Sequence, residues 1–325
     1  MLLITCWIVC GTGRYFAVAE QRVGVLGATS MVGRNLLPLL VDQNWHVEAF
    51  SRQPQIHGQS IDKDEHIVFR LLEGSNCDHA ASPADKGKIT QWVCLAPIWV
   101  LPDYFPMLMA YQARRVVALS STSIFTKNTS SDPTEQNTAD KLRNGEQRFI
   151  TWAEANRIEW VILRPTLIYG LGQDRNISEI ARFISRFGCF PLFGAAQGLR
   201  QPVHVADVAA ACAAALQSAP AGNRAYNLSG AEKLTYREMV GRVFSAMGRP
   251  ERFVPVPLFI FRWAIACLRL WPRFRNWSVA MAERMNTDLV FDHADAVRDL
   301  GFSPRSFQPD LLGTGCPTYG RQTTK

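Results

Sequence analysis

The stretch Val23–Gly33 reads V-G-V-L-G-A-T-S-M-V-G, an apolar run, a tight turn and the opening of a helical pattern through Arg34–Leu40. A helix N-terminus presents unpaired amides and the positive end of the helix dipole, so it can hold a nucleotide pyrophosphate. Gly27 lets the chain turn and Gly33 lets the helix pack closely on the strand, while Ser30 occupies the middle position, where a glycine would give the tightest approach. Thr29, Met31 and Val32 complete the candidate cofactor loop. The next apolar run ends Ala49–Phe50–Ser51–Arg52, about where a dinucleotide fold chooses its ribose partner. An acid there would take the 2′-hydroxyl of NAD, whereas Ser51 and Arg52 can hold the 2′-phosphate of NADP. NADP is therefore the expected cofactor and NAD the alternative; the competing structural reading has Arg52 stacked on adenine or facing solvent.

The elements that must position these residues follow a rhythm. Segments rich in β-branched residues, Val23–Leu26, His46–Phe50, Trp92–Leu95, Val116–Leu119 and Trp160–Leu163, alternate with helical patterns at Asn35–Val41, Tyr104–Ala113 and Asp140–Ala155. That order predicts βαβ units and an α/β fold with a doubly wound parallel sheet, whose ligands bind at the carboxyl edge. Leu95, Ala96 and Pro97, at the end of one such strand, are further candidates for cofactor contact. Helices are expected at Ala206–Gln217, Tyr236–Ala246 and Phe259–Leu270, so a smaller C-terminal substrate lobe should pack over that edge. The expected organisation is an extension over 1–20 outside the fold, a dinucleotide-binding domain over 21–170 with 200–228 returning to it, a substrate lobe from 171–199 and 229–310, and a tail over 311–325.

Composition sets outer bounds. A chain of 325 residues with 47% hydrophobic and 19% charged residues can bury a large core. The net charge of +7 is spread along the chain, which speaks against a nucleic-acid partner. Eight cysteines form no CxxC pair and no zinc-like spacing with the six histidines, so no metal site is expected and buried free thiols in a reducing compartment are. Leu2–Cys10 is apolar, but no positive charge precedes it. A loose extension, or a start upstream of the true one, is a simpler expectation than an export signal. Val254–Trp271 is apolar but broken by Pro255 and Pro257 and charged at Arg262 and Arg269, too short and too charged to span a bilayer. It reads as a core or cleft helix, with peripheral membrane contact through 254–271 as the sharper alternative. A cytoplasmic protein, open to membrane association and to oligomers, is the resulting expectation.

Five segments in order carry a resemblance. Leu26–Gly33, L-G-A-T-S-M-V-G, is similar to a T-G-A-T-G-x-x-G loop; Leu119–Phe125, L-S-S-T-S-I-F, to an S-S-x-x-V-Y strand end; and Lys141–Glu146, K-L-R-N-G-E, to a K-x-x-x-E helix. Leu163–Gly170, L-R-P-T-L-I-Y-G, and Arg200–Val208, R-Q-P-V-H-V-A-D-V, look like R-P-x-x-x-Y-G and R-D-x-I-H-V-x-D-V. Together they resemble the extended short-chain dehydrogenases, the NAD-dependent epimerase/dehydratase family, over about Arg22–Pro304. The resemblance implies a catalytic hydroxyl at Ser121 with Ser123 beside it. It implies that Lys141 binds the nicotinamide ribose and tunes the acid/base, and that Pro165 and Thr166 lie beside the nicotinamide. Asn176 and Arg200 would hold the diphosphate of a nucleotide sugar, and Asp207 would cap the following helix. Bland alternatives stand beside these: Ser121 on strand-end amides, Lys141 on the surface paired with Glu146, Arg200 as a loop cation.

The family tyrosine should lie four residues before the lysine, yet that position is Asn137, and none of the seven tyrosines has a lysine at i+4. Hydride transfer at a hydroxyl needs a proton-exchanging group, and an amide cannot titrate. Either Ser121, Ser123, Lys127 or Tyr169 takes that task, or the protein binds the dinucleotide without turnover. The implied function is an NAD(P)-dependent oxidoreductase or epimerase acting on a hydroxyl or ketone of a nucleotide sugar or similar small molecule. The alternative is a non-catalytic NADP-binding scaffold or sensor resembling the Rossmann-type accessory subunit of complex I.

Overall fold

The computed structural model describes residues 21–52, 65–72, 89–127, 132–172, 174, 176–257 and 283–309. In chain order the first elements are β1 (Gln21–Leu26), α1 (Met31–Asp42), β2 (Trp45–Ser51), β3 (Ile67–Leu71) and β4 (Gln91–Cys94). After a 3₁₀ segment at Ile98–Tyr104 come α2 (Phe105–Ala110), β5 (Arg115–Leu119), α3 (Ser123–Thr126), α4 (Pro133–Ala155), β6 (Glu159–Pro165) and β7 (Ile168–Tyr169). There follow α5 (Ile177–Phe187), β8 (Phe190–Phe193), β9 (Leu199–Arg200), β10 (Val203–His204), α6 (Val205–Gln217), β11 (Arg224–Leu228) and β12 (Leu234–Thr235). The last are α7 (Tyr236–Ala246), β13 (Phe253–Val256) and α8 (Ala294–Leu300).

Seven strands make one sheet in the order β11-β6-β5-β4-β1-β2-β3, and every neighbouring pair in it is parallel. Parallel strands buried on both faces read as near-continuous apolar runs, which is why Val23–Leu26 and Val116–Ala118 are buried throughout. One face carries α1 and α6 over Val23, Val25, Val93 and Val117; the other carries α4 and the 3₁₀ segment over Leu26, Trp92, Cys94 and Val116. The sequence reading located five of the seven strands. It missed β3, an edge strand with partly exposed positions throughout, and β11, where only Tyr226 and Leu228 are buried. β11, R-A-Y-N-L, carries too weak an apolar pattern to stand out, whereas β3, I-V-F-R-L, is an apolar run that the expectation passed over.

A third core gathers Tyr169, Ile177, Ile184, Phe190, Leu192, Met239, Phe244, Met285 and Phe307 beyond the carboxyl edge. α5 and α7 pack there beside the parallel pair β8–β13. This is the smaller lobe that the sequence led one to expect. Cys94 and Cys212 are free and buried, with burial pushing both thiols up to about 12. No described helix is long and apolar enough to cross a membrane. The expected extension over 1–20, the tail over 311–325 and most of the apolar stretch 254–271 lie outside the described residues.

Candidate functional site

The turn after β1 is built for close approach. Gly27 has φ +78, a conformation that side chains resist, and a Cβ there would stand 2.9 Å from the Ala96 amide nitrogen. A Cβ on Gly33 would stand 2.2 Å from the Ala28 carbonyl oxygen, so helix and turn meet as the sequence requires. Ser30 is the N-cap of α1, and its Oγ accepts the Gly33 amide at 3.1 Å. The serine that replaces a glycine here thus takes one of the four amides that a helix start leaves unpaired. Thr29 Oγ1 lies 3.1 Å from Ser51 Oγ, which ties the loop to the end of β2.

These residues open onto a cleft of about 460 Å³ lined by Gly27, Thr29, Ser30, Ser51, Arg52 and Leu95–Pro97, with Arg52 exposed at its rim. No acid is among its described lining residues. A cradle that only glycines permit, beside helix amides and a basic rim, fits the phosphates of a dinucleotide. Two expected cofactor contacts differ. Met31 and Val32 do not line this cleft, and Val32 packs into the core under α1, because the second residue of the helix turns toward the sheet.

Leu95–Pro97 also border a smaller space of about 240 Å³, shared with Ser121, Ser123, Thr138 and Leu142. This corrects the expectation for Lys141. The inward face of α4 carries Glu135, Ala139, Leu142, Gly145, Glu146, Phe149 and Ala153, all buried, while Asn137 and Lys141 are exposed. Two contacts fix that rotation. A Cβ on Gly145 would come within 2.9 Å of the Trp99 backbone, and Glu146 is locked beneath the site. Each residue turns a helix by about 100°, so Lys141 cannot share the face of Leu142. A K-x-x-x-E spacing counted back from Glu146 falls on Leu142, and four residues earlier lies Thr138. The face toward the cleft therefore presents Thr138 and Leu142, the latter 4% exposed, in place of a tyrosine and a lysine.

Glu146 pairs with Arg164, not with Lys141. Its carboxylate accepts Arg164 Nε at 2.9 Å, a second guanidinium nitrogen at 2.5 Å and Ser120 Oγ at 2.5 Å, with Glu146 itself only 4% exposed. Arg164 lies over the Phe125 ring at 5.2 Å. This network joins α4 to the ends of β5 and β6 and so seats Ser121. Pro165 is buried and acts through its carbonyl, which accepts the Thr122 amide at 3.1 Å and the Thr122 hydroxyl at 3.3 Å. Ser121 Oγ accepts the Ser123 amide at 3.2 Å.

Ser121 and Ser123 line, on their other side, a cavity of about 670 Å³ together with Phe125, Lys127, Glu135, Thr166, Asn176, Arg200 and Arg284. Thr166 is tied by its hydroxyl to the Gln201 carbonyl at 2.5 Å. Arg200 reaches the cavity but is 4% exposed, and its guanidinium donates to the carbonyls of Leu199, Arg284 and Thr287. It also lies over Tyr236 at 5.5 Å, and burial lowers its pKa to about 10. The expected diphosphate ligand is thus a clamp on the segment 284–287. Asn176 lines the cavity at the start of α5, where Asp174 caps the helix by accepting the Asn176 and Ser178 amides. Asp207 does not cap α6 either: His204 Nδ1 accepts the Ala206 amide, and Asp207 holds Arg305 at 2.8 Å. Tyr169 is buried in the smaller lobe's core with its hydroxyl accepting the Gln308 amide at 3.3 Å, away from the cavity. Lys127 is half-buried, and that desolvation lowers its pKa; Glu135 and Asp132 oppose the shift, and Arg284 adds to it. No cluster of candidate metal ligands occurs among the described residues.

The chain is similar to known proteins in sequence and in fold. The chain is 28% identical over 170 residues to a 2-alkyl-3-oxoalkanoate reductase of Stenotrophomonas maltophilia (strain K279a), covering 49% of this chain and 51% of that one. It is 29% identical over 161 residues to the mitochondrial NADH dehydrogenase (ubiquinone) 1 alpha subcomplex subunit 9 of Arabidopsis thaliana, covering 46% and 40%. The aligned part thus spans about half the length of these curated relatives, or less. The fold matches the crystal structure of UDP-glucuronic acid 4-epimerase from Bacillus cereus in complex with NAD, with a TM-score of 0.66, 16% identity, and 90% and 97% of the two chains covered. From α2 to the last strand of the sheet, residues 105–229 match the model of the NAD dependent epimerase/dehydratase family.

Proposed function

We propose that the protein is an NAD(P)-dependent oxidoreductase that acts at a hydroxyl or ketone of an uncharged small molecule, with NADP(H) as its dinucleotide. Continuity carries this reading: the glycine cradle, the space beside Leu95–Pro97 and the 670 Å³ cavity form a chain of spaces, the last two sharing Ser121 and Ser123. A nicotinamide dinucleotide, when bound, supplies or accepts the hydride. Gly27, Thr29, Ser30 and Ser51 would hold its phosphates and ribose, and Arg52, with no acid among the described lining residues, favours a 2′-phosphate. Ser121 Oγ accepts a backbone amide, which leaves its own hydrogen for a substrate oxygen.

The cavity's charges support an uncharged substrate over a nucleotide sugar. Arg200 is committed to three carbonyls, Arg284 pairs with Glu135 at 2.8 Å, and Glu283 and Asp288 line the same walls. Phe125, Leu167, Ile168, Leu289 and Phe291 supply an apolar surface.

A second reading, a dinucleotide-binding scaffold, is favoured by Thr138 and Leu142 on the cleft face of α4. One experiment separates the two. NADPH and NADH are titrated by calorimetry, then alicyclic and aromatic ketones are screened for NADPH oxidation and UDP-glucose for NADP reduction. We expect tighter NADPH binding and turnover of ketones alone. Tight binding with no hydride transfer to any ketone establishes the scaffold, and turnover of UDP-glucose overturns the uncharged substrate.

A further inference from the structure

The family chemistry needs a proton at the substrate oxygen, and the helix face that should supply it offers a threonine and a leucine. We propose that Lys127, which lines the larger cavity together with Ser121 and Ser123, is the proton-exchanging group. This rests on the oxidoreductase reading above.

Geometry brings Lys127 to the right wall. It follows α3, the short helix that begins at Ser123, and its own amide donates to the Ser123 carbonyl at 3.1 Å. Lys127, Ser121 and Ser123 line one cavity. The other ionisable groups there are occupied: Glu135 by Arg284, Asp288 by the Leu199 amide at 2.8 Å, and Arg200 by its three carbonyls. Glu283 lines the same cavity beside Arg284. The charges that face Lys127 are Glu135 on α4, Asp132 at its N-cap, and Arg284; burial outweighs them and favours the neutral amine. A lysine displaced downward from its ordinary value exchanges protons closer to neutral pH, where a general acid and base is most effective.

In reduction, a bound reduced dinucleotide would supply a hydride with its electron pair to the carbonyl carbon, and the C–O π electrons would move to the oxygen. The oxygen, hydrogen-bonded by Ser121, takes a proton from the Lys127 ammonium. Lys127 is left as a neutral amine and regains its proton from solvent at the half-buried edge. Oxidation runs the same steps backwards, with the neutral amine accepting the hydroxyl proton.

The test uses the full chain with NADPH bound. Competitive acetylation with acetic anhydride across pH, read per lysine by mass spectrometry, should show Lys127 becoming reactive at lower pH than exposed Lys141. A Lys127 profile that matches Lys141 overturns the proposal whether or not the protein turns over a ketone. On a ketone that the wild type reduces, Lys127→Met should lower kcat by roughly 10²-fold or more and leave NADPH affinity within about twofold. Lys127→Arg, whose guanidinium does not release its proton, should lose turnover equally while it keeps the charge. In the wild type, kcat for reduction should fall as pH rises through the Lys127 pKa. If Lys127→Met keeps wild-type kcat and the same pH limb, another group donates the proton and the oxidoreductase reading survives alone. If the wild type reduces no ketone, that reading fails and the assignment of Lys127 falls with it.

Discussion

At the scale of single residues, the proposed function assigns holding a dinucleotide and reacting with it to different side chains. Arg52 sits exposed at the rim of a cleft with no acid among its described lining residues, so a 2′-phosphate bound there would gain a charge-assisted contact. Such contacts contribute about 1.5–3 kcal/mol, or roughly tenfold or more in affinity. Arg52→Asp should therefore reverse a preference for NADPH over NADH, and calorimetry of both cofactors on both proteins checks it; equal affinities for the wild type would remove Arg52 from the site. The rotation of α4 gives a second prediction. Lys141 is exposed on the outer face, so Lys141→Ala should leave dinucleotide affinity unchanged within about twofold, and Asn137→Tyr should add no activity. Thr138→Tyr, on the inner face beside Ser121 and Ser123, is the substitution that puts a phenol into the cleft. If Lys141→Ala weakens NADPH binding strongly, the inner and outer faces have been exchanged.

At the scale of elements, backbone proximity and one buried ion pair do most of the positioning. Gly33→Val would drive a branched side chain into the Ala28 carbonyl, already 2.2 Å from a Cβ placed there, so helix and turn must separate. We expect loss of dinucleotide binding or of folding, read by calorimetry and circular dichroism; a folded variant with wild-type affinity would locate the phosphates elsewhere. Glu146→Ala should be costly for a different reason. It leaves Arg164, whose side chain is 19% exposed, without its partner and Ser120 without its acceptor. Removing one member of a buried pair costs about 3–5 kcal/mol, and the partial exposure of Arg164 puts the expected loss at the lower end. Denaturant melts of Glu146→Ala and the double variant Glu146→Ala/Arg164→Met test this, because the double variant should recover part of the loss.

At the scale of the molecule, stability and chemistry pull against each other at Lys127. Burial lowers its folded pKa below the unfolded value, so the unfolded chain binds more protons between the two. The penalty is full below the folded pKa, and stability rises with pH up to the unfolded lysine value of about 10.4. Lys127→Met should therefore raise Tm at pH 7 even as it removes turnover, with the gain shrinking as pH approaches 10. A variant less stable than the wild type at every pH would show that the ammonium is well solvated or paired. Dinucleotide should in turn raise Tm with its logarithmic concentration, whether or not the protein is an enzyme.

The amino-acid sequence by itself determined the parallel sheet, the glycine turn after β1 and the order of the motifs. These depend on local signals: apolar runs of strand length, a glycine where φ must be positive, a serine able to cap. It could not determine which face of α4 meets the cleft. Lys141 and Leu142 are neighbours in the chain, and only the contact of Gly145 with Trp99 and the grip of Glu146 on Ser120 and Arg164 choose between them. The K-x-x-x-E spacing from Glu146 was the one local signal that could have found Leu142. Arg200 and Asp207 were likewise legible as residues but not as partners. Their roles rest on Arg284, Thr287 and Arg305, which are 84, 87 and 98 positions away in the chain. Pairings at that distance are set by how the lobe closes over the sheet, and tertiary packing alone decides them.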